Sequence, residues 1–259
     1  MIVYAVSIGL VLLTLYPFFM MIVDFTGFKT EDPARVLRII PKRGKQFVDF
    51  FKNRVFLGFV NSVIIAASST ILNVYFSAMT AYSITAYKWK LRIVFSNAIL
   101  ALMMIPTVVA SSGFINLAYK FNMNNKLIIF ILPAIATPLS VVFMRLYLES
   151  AFSMEIVYQA RIDGAGEFTI FNKIVLPILK PAIATMAIFA LTSTWNNAFL
   201  PLVLITEENK KTLPQILVLN FALGETTIPM VFSTVPLIIA YLFLAKHIVE
   251  GVQLGSVKL

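Results

Sequence analysis

The chain has 259 residues, of which 59% are apolar, with 21 Lys and Arg against 12 Asp and Glu and no cysteine. So large an apolar share leaves too little polar surface for a soluble globule, and the missing cysteine excludes disulfides and thiolate metal sites. The formal charge of +9 sits in short connections between apolar runs, without stacking aromatics around it; that excludes nucleic acid as a partner and points to lipid head groups.

A helix crossing a hydrocarbon core of about 30 Å needs about 20 apolar residues. Six runs lack Asp, Glu, Lys and Arg at about that length: 1–23, 55–87, 93–119, 127–144, 182–206 and 226–245. One such charge at mid-bilayer costs roughly 2.5–3.5 kcal/mol, so their absence predicts that all six insert. The predicted fold class is therefore an all-α membrane protein with six transmembrane helices. Residues 1–23 lack a basic leading segment and a small-residue cleavage pattern and are read as a helix, not a signal peptide. The 55–87 run exceeds one perpendicular span, so a short interfacial piece is expected before a span starting near Asn61.

Between the first two runs lies a charged loop, 24–54, with Lys29, Arg35, Arg38, Lys42, Arg43, Lys45, Lys52 and Arg54. Short basic connections at 87–92 and 120–126 can hold no domain. The fourth connection, 145–181, differs, because polar and apolar residues alternate there at helical spacing and Gly164, Gly166, Pro177 and Pro181 interrupt them. Ser153 is placed to cap a helix starting at Met154, with Glu155 in its first turn and Gly164 at its end. Val157, Tyr158 and Arg161 share one face of that helix, and Ile156, Ala160 and Asp163 another. A second short helix near 167–175 is expected to return the chain to the bilayer at Pro177. Pro17, Pro106, Pro133, Pro138, Pro201, Pro229 and Pro236 lie in or beside the apolar runs; such breaks are tolerated where neighbouring helices or a wet cavity satisfy freed carbonyls, which favours a transporter over an anchor.

Tyr158-Gln159-Ala160-Arg161-Ile162-Asp163-Gly164-Ala165 followed by Ile174-Val175-Leu176-Pro177 resembles the signature loop of binding-protein-dependent ABC importer permeases: Glu-Ala-Ala, three residues, Gly, nine residues, Ile-x-Leu-Pro. Tyr158 and Gln159 stand where that family has Glu and its first Ala, and Glu155 is the nearest acid. The resemblance implies a coupling helix that seats in a cytoplasmic ATP-binding subunit, carried here by Glu155, Val157, Tyr158, Gln159, Ala160, Arg161, Asp163, Gly164 and Ala165 within a coupling loop at 152–177. The departure at its start implies a face matched to a particular ATPase. Read without the resemblance, the same segment is an ordinary interfacial helix.

The likeness continues in Asn61-Ser62, Met104-Ile105-Pro106, Ile131-Leu132-Pro133, Thr194-Trp195-Asn196-Asn197, Thr212-Leu213-Pro214 and the C-terminal residues 251–258, which are similar to the maltose-type sugar branch. It implies carbohydrate import, with a non-sugar solute as the alternative. Trp195, Asn196 and Asn197 are candidates for a sugar pathway, since an indole face and amides suit sugar rings and hydroxyls; helix-to-helix hydrogen bonding is the other reading, and the one expected for Asn61, Ser68, Ser69 and Asn73.

Implied partners are a second homologous permease subunit, two ATP-binding subunits, an extracytoplasmic solute-binding protein and membrane lipid. No cofactor is expected on this chain, because it lacks the Gly-x-x-x-x-Gly-Lys-Ser/Thr phosphate loop; ATP and Mg2+ belong to the partner ATPase, and this chain is no enzyme. Gly164-x-Gly166 has no third glycine at dinucleotide spacing, and His247 alone cannot build a His-based metal site. An ion-coupled secondary transporter would need acids or a histidine relay within the spans, which hold none. The resemblance divides the chain into a first helix with an extracytoplasmic loop (1–56), a transmembrane domain (57–250) and a cytoplasmic tail (251–259), in a bacterial cell membrane with both termini cytoplasmic. The basic 24–54 loop is then external, against the positive-inside bias, and the need of a coupling helix for a cytoplasmic partner outweighs that bias.

Overall fold

The computed structural model describes residues 2–26, 48, 51, 54–221 and 227–256. Most of the 24–54 loop, the His247 side chain and residues 257–259 lie outside the described residues. Among the described residues every regular element is helical.

After α1 (Ile2–Thr26) comes α2 (Arg54–Ala86), a single helix of 33 residues, about 50 Å at 1.5 Å per residue. The interfacial piece expected before Asn61 is not separate: no proline or cap signal interrupts 54–61, and the helix is continuous there. α3 (Arg92–Leu102) and α4 (Thr107–Lys120) divide the 93–119 run and are bent by 100°. The cause is Pro106, which sits in extended backbone (φ −59°, ψ 130°) at the start of α4 and cannot continue the helical hydrogen bonding. α5 (Ile128–Ile131) passes through a 3-10 turn, Leu132–Ala134, and extended Thr137 into α6 (Pro138–Ala151), with Pro138 at the first helical position. Here the cost of the break is met from α2, whose Asn73 Nδ2 donates to the Ala134 carbonyl (2.7 Å) and to Thr137 Oγ1 (3.1 Å).

α7 (Met154–Ile162) and α8 (Glu167–Ile170) form the fourth connection. The second short helix expected near 167–175 is present and changes pitch on the way: α8 passes without a break into a π turn, Phe171–Val175, and on into α9 (Leu176–Ile178) and α10 (Lys180–Trp195). Hydrogen bonds from Leu179 N to Val175 O (3.0 Å) and from Ile183 N to Leu179 O (2.8 Å) keep that path helical past Pro177, so no loose return segment intervenes. α11 (Phe199–Leu204), α12 (Leu213–Phe221) and α13 (Thr227–Ser256) complete the chain. α13 runs unbroken into the segment read as a C-terminal tail.

Among the described residues three stretches, Arg54–Ala86, Ile128–Ala151 and Lys180–Leu204, are long and apolar enough to cross a membrane, and the bent α3–α4 pair makes a fourth; Tyr4–Met20 and Pro229–Ala245 are shorter apolar helices. α2 is the mast of the bundle, packing along α6 and α10, while α13 packs along α10 and touches the start of α2. Its buried face is built of small residues, among them Gly58, Ala66, Ser69, Ala78 and Ala81, which let neighbouring backbones approach where lipid supplies no hydrophobic drive. At Gly58 an added Cβ would strike Ile216 Cδ1 of α12 and lie 3.4 Å from the Lys211 carbonyl. Gly58→Leu is therefore expected to lower the melting temperature of the detergent-purified protein by several degrees, whereas Gly58→Ala, meeting mainly the flexible end of Ile216, shifts it little. Equal melting curves for both variants would show that the approach is not tight.

Candidate functional site

Two regions carry the candidate residues, and α10 joins them. At one end lies α7. Extended Ser153 (φ −90°, ψ 128°) precedes it, and Ser153 Oγ accepts a hydrogen bond from the Glu155 N–H (3.3 Å). Its other end closes in a Schellman motif: Ala165 N donates to the Ala160 carbonyl (2.9 Å) and Gly164 N to that of Arg161 (3.1 Å), with Gly164 at φ +80°. Both ends of a nine-residue helix are thus fixed by its own sequence.

Val157 is fully buried beneath α7, in the cluster that holds Ala78 and Tyr82 of α2, Met144 and Leu148 of α6, and Leu179, Ala182 and Met186 on the way into and along α10. It therefore anchors α7 to the bundle. Ala160, Arg161 and Ala165 are half-buried, while Glu155, Tyr158, Gln159, Asp163 and Gly164 are exposed. Beside them stand Ile162, 85% exposed, and Phe168, 74% exposed, two large apolar side chains facing outward. Neither was singled out in the sequence, although Ile162 sits within the motif as an apolar residue where a solvated helix would carry a polar one.

A clasp ties α7 to the end of α2. Arg161 Nε donates to Glu167 Oε1 (2.6 Å), and the guanidinium lies 5.4 Å from the Tyr87 ring centroid and 5.9 Å from that of Tyr158. Hydroxyls of Tyr87 and Tyr82 both donate to Glu167 Oε2, that of Tyr82 at 3.4 Å. The hydrogen bond from Arg161 holds the Glu167 carboxyl below its ordinary range, and the same bond holds the Arg161 guanidinium protonated. Glu167, Tyr82 and Tyr87 were not legible as partners from the sequence, since they lie 6 to 85 residues from the groups they bind.

Toward the far end of α10 a cavity of about 730 Å³ lies among α2, α4, α5, α6 and α11. Thr107, Ser111 and Phe114 line it from α4 and Phe189 and Ser193 from α10, with Asn197 just past the end of α10. Of the three candidates for the solute path, Asn197 lines the cavity and its Oδ1 accepts from Leu200 N (3.3 Å), starting α11. Trp195 is in the wall but only 2% exposed; its Nε1–H donates to the Ser233 carbonyl of α13 (2.8 Å) and its ring stands edge-on to Phe59 at 5.9 Å. Of the two readings open for this indole, a sugar platform or a helix-to-helix bond, the hydrogen bond and ring contact match the second, packing three helices together. Asn196 is exposed and does not line the cavity. Phe189 and Ser193 were not legible in the sequence, yet with Asn197 they form a stripe of three residues, spaced four apart, that follows one face of α10 and continues just past its end.

The expectation of helix-to-helix bonding needs correction at Asn61. Its Nδ2 donates to the Asn209 and Lys211 carbonyls (both 3.0 Å), and Ser62 Oγ accepts from Leu213 N (2.9 Å), so this end of α2 fastens a loop. Asn73 caps the helix break described above, and the buried Ser69 hydroxyl has no hydrogen-bond partner among the described residues. Asn125, at φ +58°, holds the same loop from the other side by accepting from the backbone N–H of Thr206 (2.7 Å) and Glu207 (3.0 Å).

Broken apolar helices around a cavity, with a doubly capped helix docked outside the bundle, define a membrane-embedded subunit of a transporter. Residues 73–253, more than half of the chain, match the family described as "Binding-protein-dependent transport system inner membrane component", and the chain belongs to that family. It is similar to the arabinooligosaccharides transport system permease protein AraQ of Halalkalibacterium halodurans, 34% identical over 77% of this chain and 73% of that one. It is also similar to the lactose transport system permease protein LacG of Rhizobium radiobacter, 26% identical over 95% of this chain and 92% of that one. A crystal structure of a bacterial ABC transporter involved in the import of the acidic polysaccharide alginate shares the fold, with a TM-score of 0.74, 21% identity and 95% coverage of both chains. The chain is accordingly the membrane permease component of an ABC importer and not itself an enzyme.

Proposed function

We propose that this subunit forms half of the translocation path for a sugar or oligosaccharide, pairing with a second permease, two ATP-binding subunits and an extracytoplasmic solute-binding protein. In this reading six helices span the membrane, α1 and α13 included. Both termini and α7 face the cytoplasm, and α7 is the coupling helix. The carbohydrate assignment is supported by the names of relatives across most of the chain, AraQ and LacG among them.

The observation that carries the mechanism is continuity: α7 is anchored through Val157 into the core where α10 begins, and the other end of α10 forms a wall of the cavity. Closure of the ATPase pair displaces α7; because its caps and the clasp leave it little freedom to bend, the displacement passes to α2, α6 and α10 and re-aims the cavity. Apolar Phe114 and Phe189 beside Ser111, Ser193 and Asn197 offer the mixture that sugar faces and hydroxyls need.

The test is uptake and ATPase activity of the whole complex in vesicles, with arabinooligosaccharides, lactose and a non-sugar solute presented on their cognate binding proteins. Carbohydrate-dependent stimulation of both activities supports the reading; stimulation by the non-sugar solute alone refutes the carbohydrate assignment. Phe189→Ala, which removes a cavity wall far from α7, is expected to lower uptake several-fold while ATPase subunits still copurify. Unchanged uptake would remove this face of α10 from the path.

A further inference from the structure

A second recess, of about 290 Å³, opens where α2 ends, α3 begins and α6 nears its end, lined by Thr85, Arg92, Ser96, Asn97, Arg145 and Glu149 with Ile84 and Ile93. It is separate from the transport cavity and from the outer face of α7. Arg145 is held in place: its Nε donates to Glu149 Oε1 (2.7 Å) and its Nη1 to the buried Ser96 hydroxyl. The Arg92 side chain forms no ion pair or hydrogen bond among the described residues. Two guanidiniums against one carboxylate leave the recess cationic, with the Asn97 amide beside them.

The surroundings say what kind of anion this is. Leu91, Ile93 and Val94 at the start of α3 and Leu146 of α6 are exposed apolar side chains; Ile93 itself lines the recess, and Leu146 follows its Arg145 in the chain, so the recess has an apolar wall beside it. Trp89, whose ring lies 5.7 Å from that of Phe95, is of the residue type enriched at the membrane interface, and exposed Lys88 and Lys90 flank it in the chain. A soluble anion has no use for that wall, whereas a phospholipid does, with its phosphate in the recess and its chains along α3.

We propose that this recess binds the phosphate head group of an anionic phospholipid, with Arg92 as the principal contact and Arg145 and Asn97 as further donors. Basic recesses between membrane helices are suited to such head groups, and each well-placed cation near the surface strengthens binding about fivefold. α6 passes directly into α7, so the recess lies at the leaflet nearest α7. That this leaflet is cytoplasmic rests on the proposed coupling role; the binding itself does not.

The experiment is native mass spectrometry of the intact, delipidated complex titrated with phosphatidylglycerol or phosphatidylcholine, for the wild type, Arg92→Gln and Lys88→Gln. The wild type is expected to retain phosphatidylglycerol in preference to phosphatidylcholine; Arg92→Gln should weaken that retention about fivefold, and Lys88→Gln, outside the recess, should not. Equal retention by wild type and Arg92→Gln would overturn the proposal. Displacement of the lipid by an equal concentration of inorganic phosphate would reassign the recess to a free anion. Loss of complex assembly in Arg92→Gln would make it a subunit contact instead. Lipid bound per complex and the mass of the intact complex are the two readouts, and both are independent of which solute is carried and of whether α7 couples.

Discussion

Gly164→Val is expected to cut solute uptake and solute-stimulated ATP hydrolysis together, by about tenfold, with the ATPase subunits still bound. Gly164 sits at φ +80°, where an L-residue pays roughly 1–2 kcal/mol and a β-branched one is worst placed. Its Cβ position is open, with nothing within 4 Å, so a clash contributes nothing and the whole cost falls on the backbone of the Schellman turn. The chain relieves that cost by opening the turn and releasing the hydrogen bonds from Gly164 N and Ala165 N that close α7. In the proposed coupling role a frayed α7 would absorb displacement that a capped one passes on. Asparagine tolerates the left-handed region, so Gly164→Asn is expected to keep most of the activity. Val and Asn differ little in size, and equal losses for both would show that the conformation at 164 is not what matters.

The unequal legibility of these regions has a physical basis. α7 could be read because a cap, a first-turn acid and a terminating glycine are local signals, each acting within four residues. The four stretches long and apolar enough to cross a membrane were legible from charge exclusion alone, but their breaks were not: Pro106 bends one run by 100° while Pro236 lies within an unbroken α13. A proline states only that one hydrogen bond is missing, and whether the helix breaks depends on what the neighbours offer, such as the Asn73 amide at the Ala134 carbonyl. Trp195 shows the same limit at the site. A tryptophan beside two asparagines reads as a sugar platform in one dimension, yet the Ser233 carbonyl of another helix fixes where its N–H points. The stripe of Phe189, Ser193 and Asn197 was available from helical spacing, but an aromatic in an apolar run carries no sign of which side is wet.

Breaking the Arg161–Glu167 clasp is expected to raise the number of ATP molecules hydrolysed per solute moved, because in the proposed coupling role a loosened α7 would still dock with the ATPase but no longer drag α2 with it. The pair is partly exposed, with side chains 30% and 47% accessible, so its charge attraction alone is modest and screened by salt. What raises its importance is shared geometry: one guanidinium spans Tyr87 and Tyr158 while one carboxylate accepts from Arg161, Tyr87 and Tyr82. Arg161→Gln and Glu167→Gln should each impair coupling several-fold, and the double variant should be little worse than either, since both remove the same contact. The reversed pair, Arg161→Glu with Glu167→Arg, restores the ion pair without the guanidinium over the Tyr87 ring, so only part of the coupling should return. The pH dependence has a definite sign. Glu167 is held below its ordinary carboxylate range, so its contribution is complete above that range and is lost only as pH falls through the lowered value; Arg161 stays charged throughout. The wild-type coupling ratio should therefore be flat from about pH 6 to 8 and fail only under acid. Additive losses in the double variant, or a ratio that changes across that neutral window, would mean that α7 is held to α2 by something other than this clasp.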